Sequence, residues 1–126
     1  MSEAVVTARI HILLVEDHAM LRGIVEQALR AAGFRVTVAE TGDQAASLLE
    51  AGPCPDVLLS DIRMRGKMNG KDLARWAHRR FPALAILLQT GFGDLEASEF
   101  RILRKPFYPD ALIEAIHAAL EERSRH

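Results

Sequence analysis

The sequence predicts a doubly wound α/β fold, in which a parallel sheet is covered by helices on both faces. Three observations carry that expectation. Short apolar runs alternate along the chain with stretches of helical spacing, which is the order a parallel sheet with crossover helices requires. The runs DVLLS (56–60) and ALAILL (83–88) read as continuous apolar segments, the pattern of strands buried on both faces. Charged and hydroxyl residues then fall just after the runs, where open α/β sheets place their ligands.

Each element has its own signals. IHILLV (10–15) is a β-branched apolar run and the first expected strand. Met20, Leu21, Ile24, Val25, Ala28 and Leu29 follow at helical spacing, and Gly33 stands where a left-handed cap ends a helix. FRVTVA (34–39) alternates as a strand, and Thr41 with Gln44 is a capping-box pair ahead of Ala45, Leu48 and Leu49. Gly52 and Pro53 stop that helix. Between the two central runs lie Leu73, Ala74, Ala77 and Phe81 at helical spacing, closed by Pro82. FRILR (100–104) reads as a last strand, and after Pro106 and Pro109 a C-terminal helix buries Leu112, Ile113, Ile116, Ala119 and Leu120. Repeats, low-complexity segments and internal linkers are not evident, so one domain over 1–126, with a core of about 9–122, is expected.

Composition excludes several classes of function. The chain of 126 residues carries 16 basic and 17 acidic side chains, so its formal charge of −1 gives no footprint for a nucleic-acid backbone or an anionic membrane. No stretch reads as a signal peptide or a membrane span. The one cysteine, Cys54, has no partner for a disulfide and none for a metal knuckle, which fits a reducing, cytoplasmic setting. It is expected to be an inert loop or core thiol.

The informative residues stand at the strand ends. ILLVEDH (12–18) ends an apolar run on two adjacent carboxylates, Glu16 and Asp17, although such groups are rarely buried unpaired. Asp61 follows the third run, Thr90 and Gly91 the fourth, and Lys105 and Pro106 the fifth. Carboxylates gathered in one crevice repel one another unless a cation lies among them. An all-oxygen site of this kind suits Mg²⁺, which in turn favours phosphate. A lysine and a hydroxyl opposite the metal would hold phosphoryl oxygens, leaving Asp61, at a central strand end, as nucleophile.

With LLVEDH, LLSDIRM, LLQTG and LRKPF each at a strand end, the chain resembles the receiver domain of bacterial two-component response regulators over essentially its whole length. The resemblance implies a flavodoxin-like sheet of five strands in the order 2-1-3-4-5. It also implies that Asp61 takes a phosphoryl group from a phosphohistidine on a sensor histidine kinase or phosphotransfer protein. Glu16, Asp17, Asp61 and the backbone carbonyl of Arg63 would hold Mg²⁺. Lys105 and Thr90 would contact the phosphoryl oxygens, Gly91 would leave room for the group to enter, and the peptide between Lys105 and Pro106 would be cis. Such a protein phosphorylates and dephosphorylates itself but acts on no other substrate, works in the cytoplasm, and is a monomer or weak homodimer. The polar end EERSRH fits a stand-alone receiver or one from a larger hybrid kinase.

The chain also departs from the family pattern. Arg65 replaces the usual proline after DIRM, and Gly70 comes one residue late, so this loop is expected to be more mobile. Ile102 replaces the aromatic that couples to the threonine, and is expected to be a passive packing residue. Only fourteen residues separate Thr90 from Lys105, so the helix between the fourth and fifth strands is expected to be short or missing, with 91–99 a mobile segment or a single helical turn before phosphorylation. Other features carry less. Asp17 alone could cap the first helix, Lys105 alone could be a solvated charge, and His18 and His78 read as surface or capping residues. Trp76 reads as helix packing. GKMNGK (66–71) is one residue short of a phosphate-binding loop, with Asp72 where a hydroxyl should stand. Two other classes stay open: a magnesium-dependent phosphohydrolase with an aspartyl nucleophile, and a receiver-shaped interaction module that is never phosphorylated.

Overall fold

A computed structural model describes residues 10–91, 99–105 and 108–123. Five parallel strands form one sheet: β1 (His11–Val15), β2 (Arg35–Ala39), β3 (Val57–Asp61), β4 (Ala85–Thr90) and β5 (Arg101–Arg104). Their order is β2-β1-β3-β4-β5, the order the sequence reading implied. Four helices are described: α1 (Ala19–Ala31), α2 (Gly42–Ala51), α3 (Gly70–Arg80) and α4 (Pro109–Arg123).

The sheet separates two apolar layers, as the continuous runs of β1, β3 and β4 demand. Ile12, Leu14, Leu59 and Leu87 face Val25 and Leu29 of α1 and Leu112 and Ile116 of α4. Leu13, Leu58 and Leu88 face Ala45 and Leu49 of α2 and Leu73, Ala74 and Ala77 of α3. Each fully buried leucine or isoleucine contributes about 1.5–3 kcal/mol, enough in sum to fix the register without a disulfide.

Helix ends follow the local chemistry. His18 Nδ1 accepts from the Leu21 amide at 3.3 Å and caps α1, so the capping role falls to His18 rather than Asp17. Thr41 Oγ1 accepts from the Gln44 amide at 3.0 Å, and Gln44 Oε1 reaches back to the Glu40 amide at 2.7 Å, one residue earlier than a capping box usually does. Asn69 Oδ1 caps α3 through the Asp72 amide. Gly33 takes φ +100°, the left-handed turn its position after α1 required.

The apolar stripe of α1 is only partly buried. Met20 is 70% exposed and Ile24 57%, and Leu21 is also exposed, while Val25 and Leu29 are buried. Ile24 lies about 100° around the helix from Val25, and α1 packs on one edge of the sheet, so the stripe is wider than the core it covers. Leu48 of α2 is exposed for the same reason. Trp76 packs edge-on against Phe81 with ring centroids 6.0 Å apart, as helix packing predicts, and His78 meets Phe100 at 5.7 Å. Cys54 is an exposed free thiol. Ile102 is partly buried against the layer under α2 and α3, a packing role as expected. The helix expected to be short or missing, the mobile segment and the cis peptide involve residues 92–98 and Pro106, which lie outside the described residues. No helix among the described residues is long and apolar enough to cross a membrane.

Candidate functional site

The site is built at the carboxyl edge of β1, β3, β4 and β5. Glu16 follows β1, and Asp61 ends β3 one residue beyond the Val15–Ser60 pair, which sets the two carboxylates side by side. Asp61 pairs with Gln89 across β4, and Thr90 closes that strand. Lys105 follows β5, its amide donating to the Thr90 carbonyl at 2.7 Å. All the strands are parallel, so all these ends meet on one edge.

One ammonium ties the cluster together. Lys105 Nζ lies 2.9 Å from Glu16 Oε1 and 3.4 Å from Asp61 Oδ2. Glu16 is 1% exposed, and its second oxygen accepts from the His18 amide at 3.2 Å. Asp17 is partly buried and accepts from the Arg65 amide at 3.1 Å, so the loop after β3 folds back onto the acidic pair. Oxygens of Glu16, Asp17 and Asp61 all lie within 4.8 Å of one another, a spacing that a divalent cation could bridge. The Arg63 carbonyl follows in the same loop, two residues beyond Asp61. Among the described residues, a side chain at Gly91 would meet nothing within 4 Å, so they leave room beside Thr90.

Electrostatics mark Asp61. Burial, and then the neighbouring Glu16 carboxylate, push its carboxyl from 3.8 up to about 6, against the pull of the Lys105 ammonium. This gives a sign that can be tested. An acid whose folded pKa exceeds its unfolded value costs nothing below both, costs more as pH rises between them, and costs the full amount above the higher one. The metal-free Asp61→Asn protein should therefore match the wild type near pH 3.5 and become more stable than it between pH 4 and 6. The gain should level off above pH 7 at roughly 2–3 kcal/mol, since a pKa unit corresponds to about 1.4 kcal/mol. Thermal melts in chelator across that range check it; a variant less stable than the wild type at pH 8 contradicts the electrostatics described.

The sequence reading thus finds Glu16, Asp17, Asp61 and Lys105 brought together, with Thr90 beside them. It missed three things: the direct pairing of Lys105 with a buried Glu16, the amide of Arg65 on Asp17, and the burial of Gln89. The pattern LLQTG did carry the last signal, a polar residue inside an apolar strand.

Comparison with known proteins agrees with this geometry. The response regulator receiver domain family matches residues 12–117, and the chain belongs to it. Domains of this family are the receivers of two-component signalling. The DNA-binding transcriptional regulator NtrC of Salmonella typhimurium is 36% identical over 114 residues, covering 85% of this chain and 24% of that protein. The C4-dicarboxylate transport transcriptional regulatory protein DctD of Pseudomonas aeruginosa is 34% identical over 126 residues, covering 92% of this chain and 26% of that protein. The chain spans about a quarter of the length of these curated relatives. The crystal structure of a response regulator receiver protein from Sinorhizobium medicae superposes with a TM-score of 0.82 at 33% identity, over 90% of this chain and 96% of that one.

Proposed function

We propose that Asp61 is the phosphoacceptor, taking a phosphoryl group from a phosphohistidine on a sensor histidine kinase or histidine phosphotransfer protein in a magnesium-dependent reaction. The observation that carries this is the Lys105 ammonium seated between Glu16 and Asp61 within a cluster of three carboxylates. An Asp61 carboxylate oxygen attacks phosphorus, the O–P bond forms as the N–P bond to the donor imidazole breaks, and the imidazole, already protonated on its other ring nitrogen, leaves as the neutral ring. Glu16, Asp17, Asp61 and the Arg63 carbonyl would hold Mg²⁺, which supplies charge neutralisation when bound. Lys105 follows the negative charge from Asp61 onto the phosphoryl oxygens, and the Thr90 hydroxyl, buried and without a partner among the described residues, gains one there.

The donor is read as a protein because Met20, Leu21 and Ile24 form an exposed apolar patch on the first turns of α1, directly beside Glu16 and Asp17. A partner helix seated on that patch would deliver its histidine to the site. The chemistry is limited to the domain's own phosphorylation and its reversal, and the reading places the domain in the cytoplasm with a kinase. An aspartyl phosphohydrolase would need a second acid or base just after the nucleophile in the chain, and Ile62 and Arg63 supply no carboxylate.

Intact-mass measurement with acetyl phosphate and Mg²⁺ tests the reading. One labile phosphate is expected on the wild type and none on Asp61→Asn. Absence of an adduct on the wild type would favour a module that is never phosphorylated, and steady turnover of varied phosphate esters would favour a hydrolase.

A further inference from the structure

The end of β4 carries buried polar atoms that find no partner among the described residues. Thr90 Oγ1 is one, and it belongs to the site already described; the others are Oε1 and Nε2 of Gln89, a residue 0% exposed. A buried amide bonded at neither end is costly, because both groups lost water and gained nothing.

The register shows what surrounds it. Gln89 pairs with Asp61 on β3 and with Leu103 on β5. Leu14, Leu59 and Leu87 all project into the layer under α1 and α4, and Leu103 packs against that layer. Side chains two residues apart on a strand share a face, so Glu16, Asp61 and Gln89 form one row on that face, and Lys105 follows Leu103 on the same side. The row runs from β1 through β3 and β4 toward β5. To bring its ammonium 2.9 Å from Glu16, the Lys105 side chain must leave β5 and cross over Gln89 on β4.

We propose that Gln89 is a positioning residue of the phosphoryl site, whose Oε1 accepts from the Lys105 ammonium once phosphorylation draws that group away from Glu16. This rests on the reading of Asp61 as the phosphoacceptor. At rest the ammonium spends its donors on Glu16 and Asp61. When Asp61 becomes an acyl phosphate, its charge moves outward onto the phosphoryl oxygens and the ammonium follows. Retreat from β1 carries it back over β4, where the side-chain carbonyl of Gln89 stands. An ammonium has three donors, so it bonds phosphoryl oxygen and Gln89 together. The amide then pins Lys105 against the phosphoryl group and prolongs the phosphorylated state.

Gln89→Leu removes the amide at similar volume, and Gln89→Met does so with an unbranched side chain, should leucine pack poorly. Three readouts are taken on each full-length variant and on the wild type: melting temperature with Mg²⁺ alone, melting temperature with Mg²⁺ and beryllofluoride, and phosphoryl lifetime after loading with acetyl phosphate. The variants should melt higher than the wild type with Mg²⁺ alone and gain less from beryllofluoride. Their phosphoryl lifetime should fall roughly ten- to a hundredfold, the size of one lost hydrogen bond to a charged group. Equal shifts in both melting temperatures with an unchanged lifetime would mean that Gln89 only packs, and would overturn the proposal while leaving Asp61 in place. A wild type that neither gains stability from beryllofluoride nor takes up phosphate overturns the reading of Asp61 and this proposal with it.

Discussion

Lys105→Met should lose both phosphoryl uptake and a large part of the domain's stability. As a point charge on the phosphoryl oxygens, Lys105 is expected to act mainly on the transition state, with less effect on folding. The structure adds the second role, because its ammonium is the cation facing Glu16, a carboxylate 1% exposed. Removing one partner of a buried ion pair leaves the other charge desolvated, typically at 3–5 kcal/mol. The lysine is itself one-fifth exposed and water would partly replace it, so about 2–3 kcal/mol is expected here, or roughly 10 °C in melting temperature. Uptake from acetyl phosphate should slow by about 10²–10³, the usual loss when a group stabilising transition-state charge is removed. The two effects separate in the double variant Glu16→Gln/Lys105→Met, which should recover most of the stability and none of the uptake. A single variant that melts like the wild type would show that Glu16 does not depend on the lysine.

Gly70→Ala is the second large effect, and its sign runs against helix propensity. Gly70 opens α3, where alanine would ordinarily be preferred by up to about 1 kcal/mol. A Cβ there, however, would overlap the carbonyl oxygen of Asp61, standing 2.7 Å from Ile62 Cα and 2.9 Å from the Asp61 carbonyl carbon. All three are backbone atoms and none can turn aside as a side-chain tip would. Overpacking that side chains absorb costs about 1–3 kcal/mol, so about 3 kcal/mol or more is expected where backbone must move. The atoms that move belong to the nucleophile, so phosphorylation should slow as well. Gly23→Ala is the control, since its Cβ would meet nothing within 4 Å in the middle of α1; it should stabilise by up to about 1 kcal/mol. Denaturation midpoints for the two variants should move in opposite directions. If both rise, the close approach of α3 to β3 is not tight.

What the sequence shows of this domain is what local chemistry and periodicity encode. The continuous runs of β1, β3 and β4 report burial on both faces, and with it a parallel sheet whose ends converge. Glu16, Asp17, Asp61 and Lys105 were legible because charge at the end of an apolar strand is expensive without a purpose. The helical spacing of Met20, Leu21 and Ile24 marks the helix, but it does not show that they stay exposed, because spacing gives the direction of an apolar stripe and not how far the neighbouring sheet extends beneath it. Gln89 was passed over because its meaning depends on β3 and β5, its neighbours in space, and no local pattern records them. The contact at Gly70 was invisible for the same reason: a glycine at a helix start looks like a poor helix former until the Asp61 backbone is placed against it.

The close approach of Gly70 to β3 also explains why this chain tolerates an extra residue between Asp61 and α3. The Gly70 amide donates to the Ile62 carbonyl at 2.8 Å, so the segment from 62 to 70 leaves and returns to the same point. A loop whose ends are already joined can lengthen cheaply: one more residue in about eight costs only about 0.1 kcal/mol of closure entropy. Its left-handed turn at Gly66, φ +101°, and the Arg65 amide on Asp17 keep the near half folded toward the acidic pair. Length and sequence beyond that tie are free to drift without shifting the nucleophile. The loop is thus a natural port for variation, where residues could be inserted or exchanged to change what the domain recognises while the chemistry beneath stays in register.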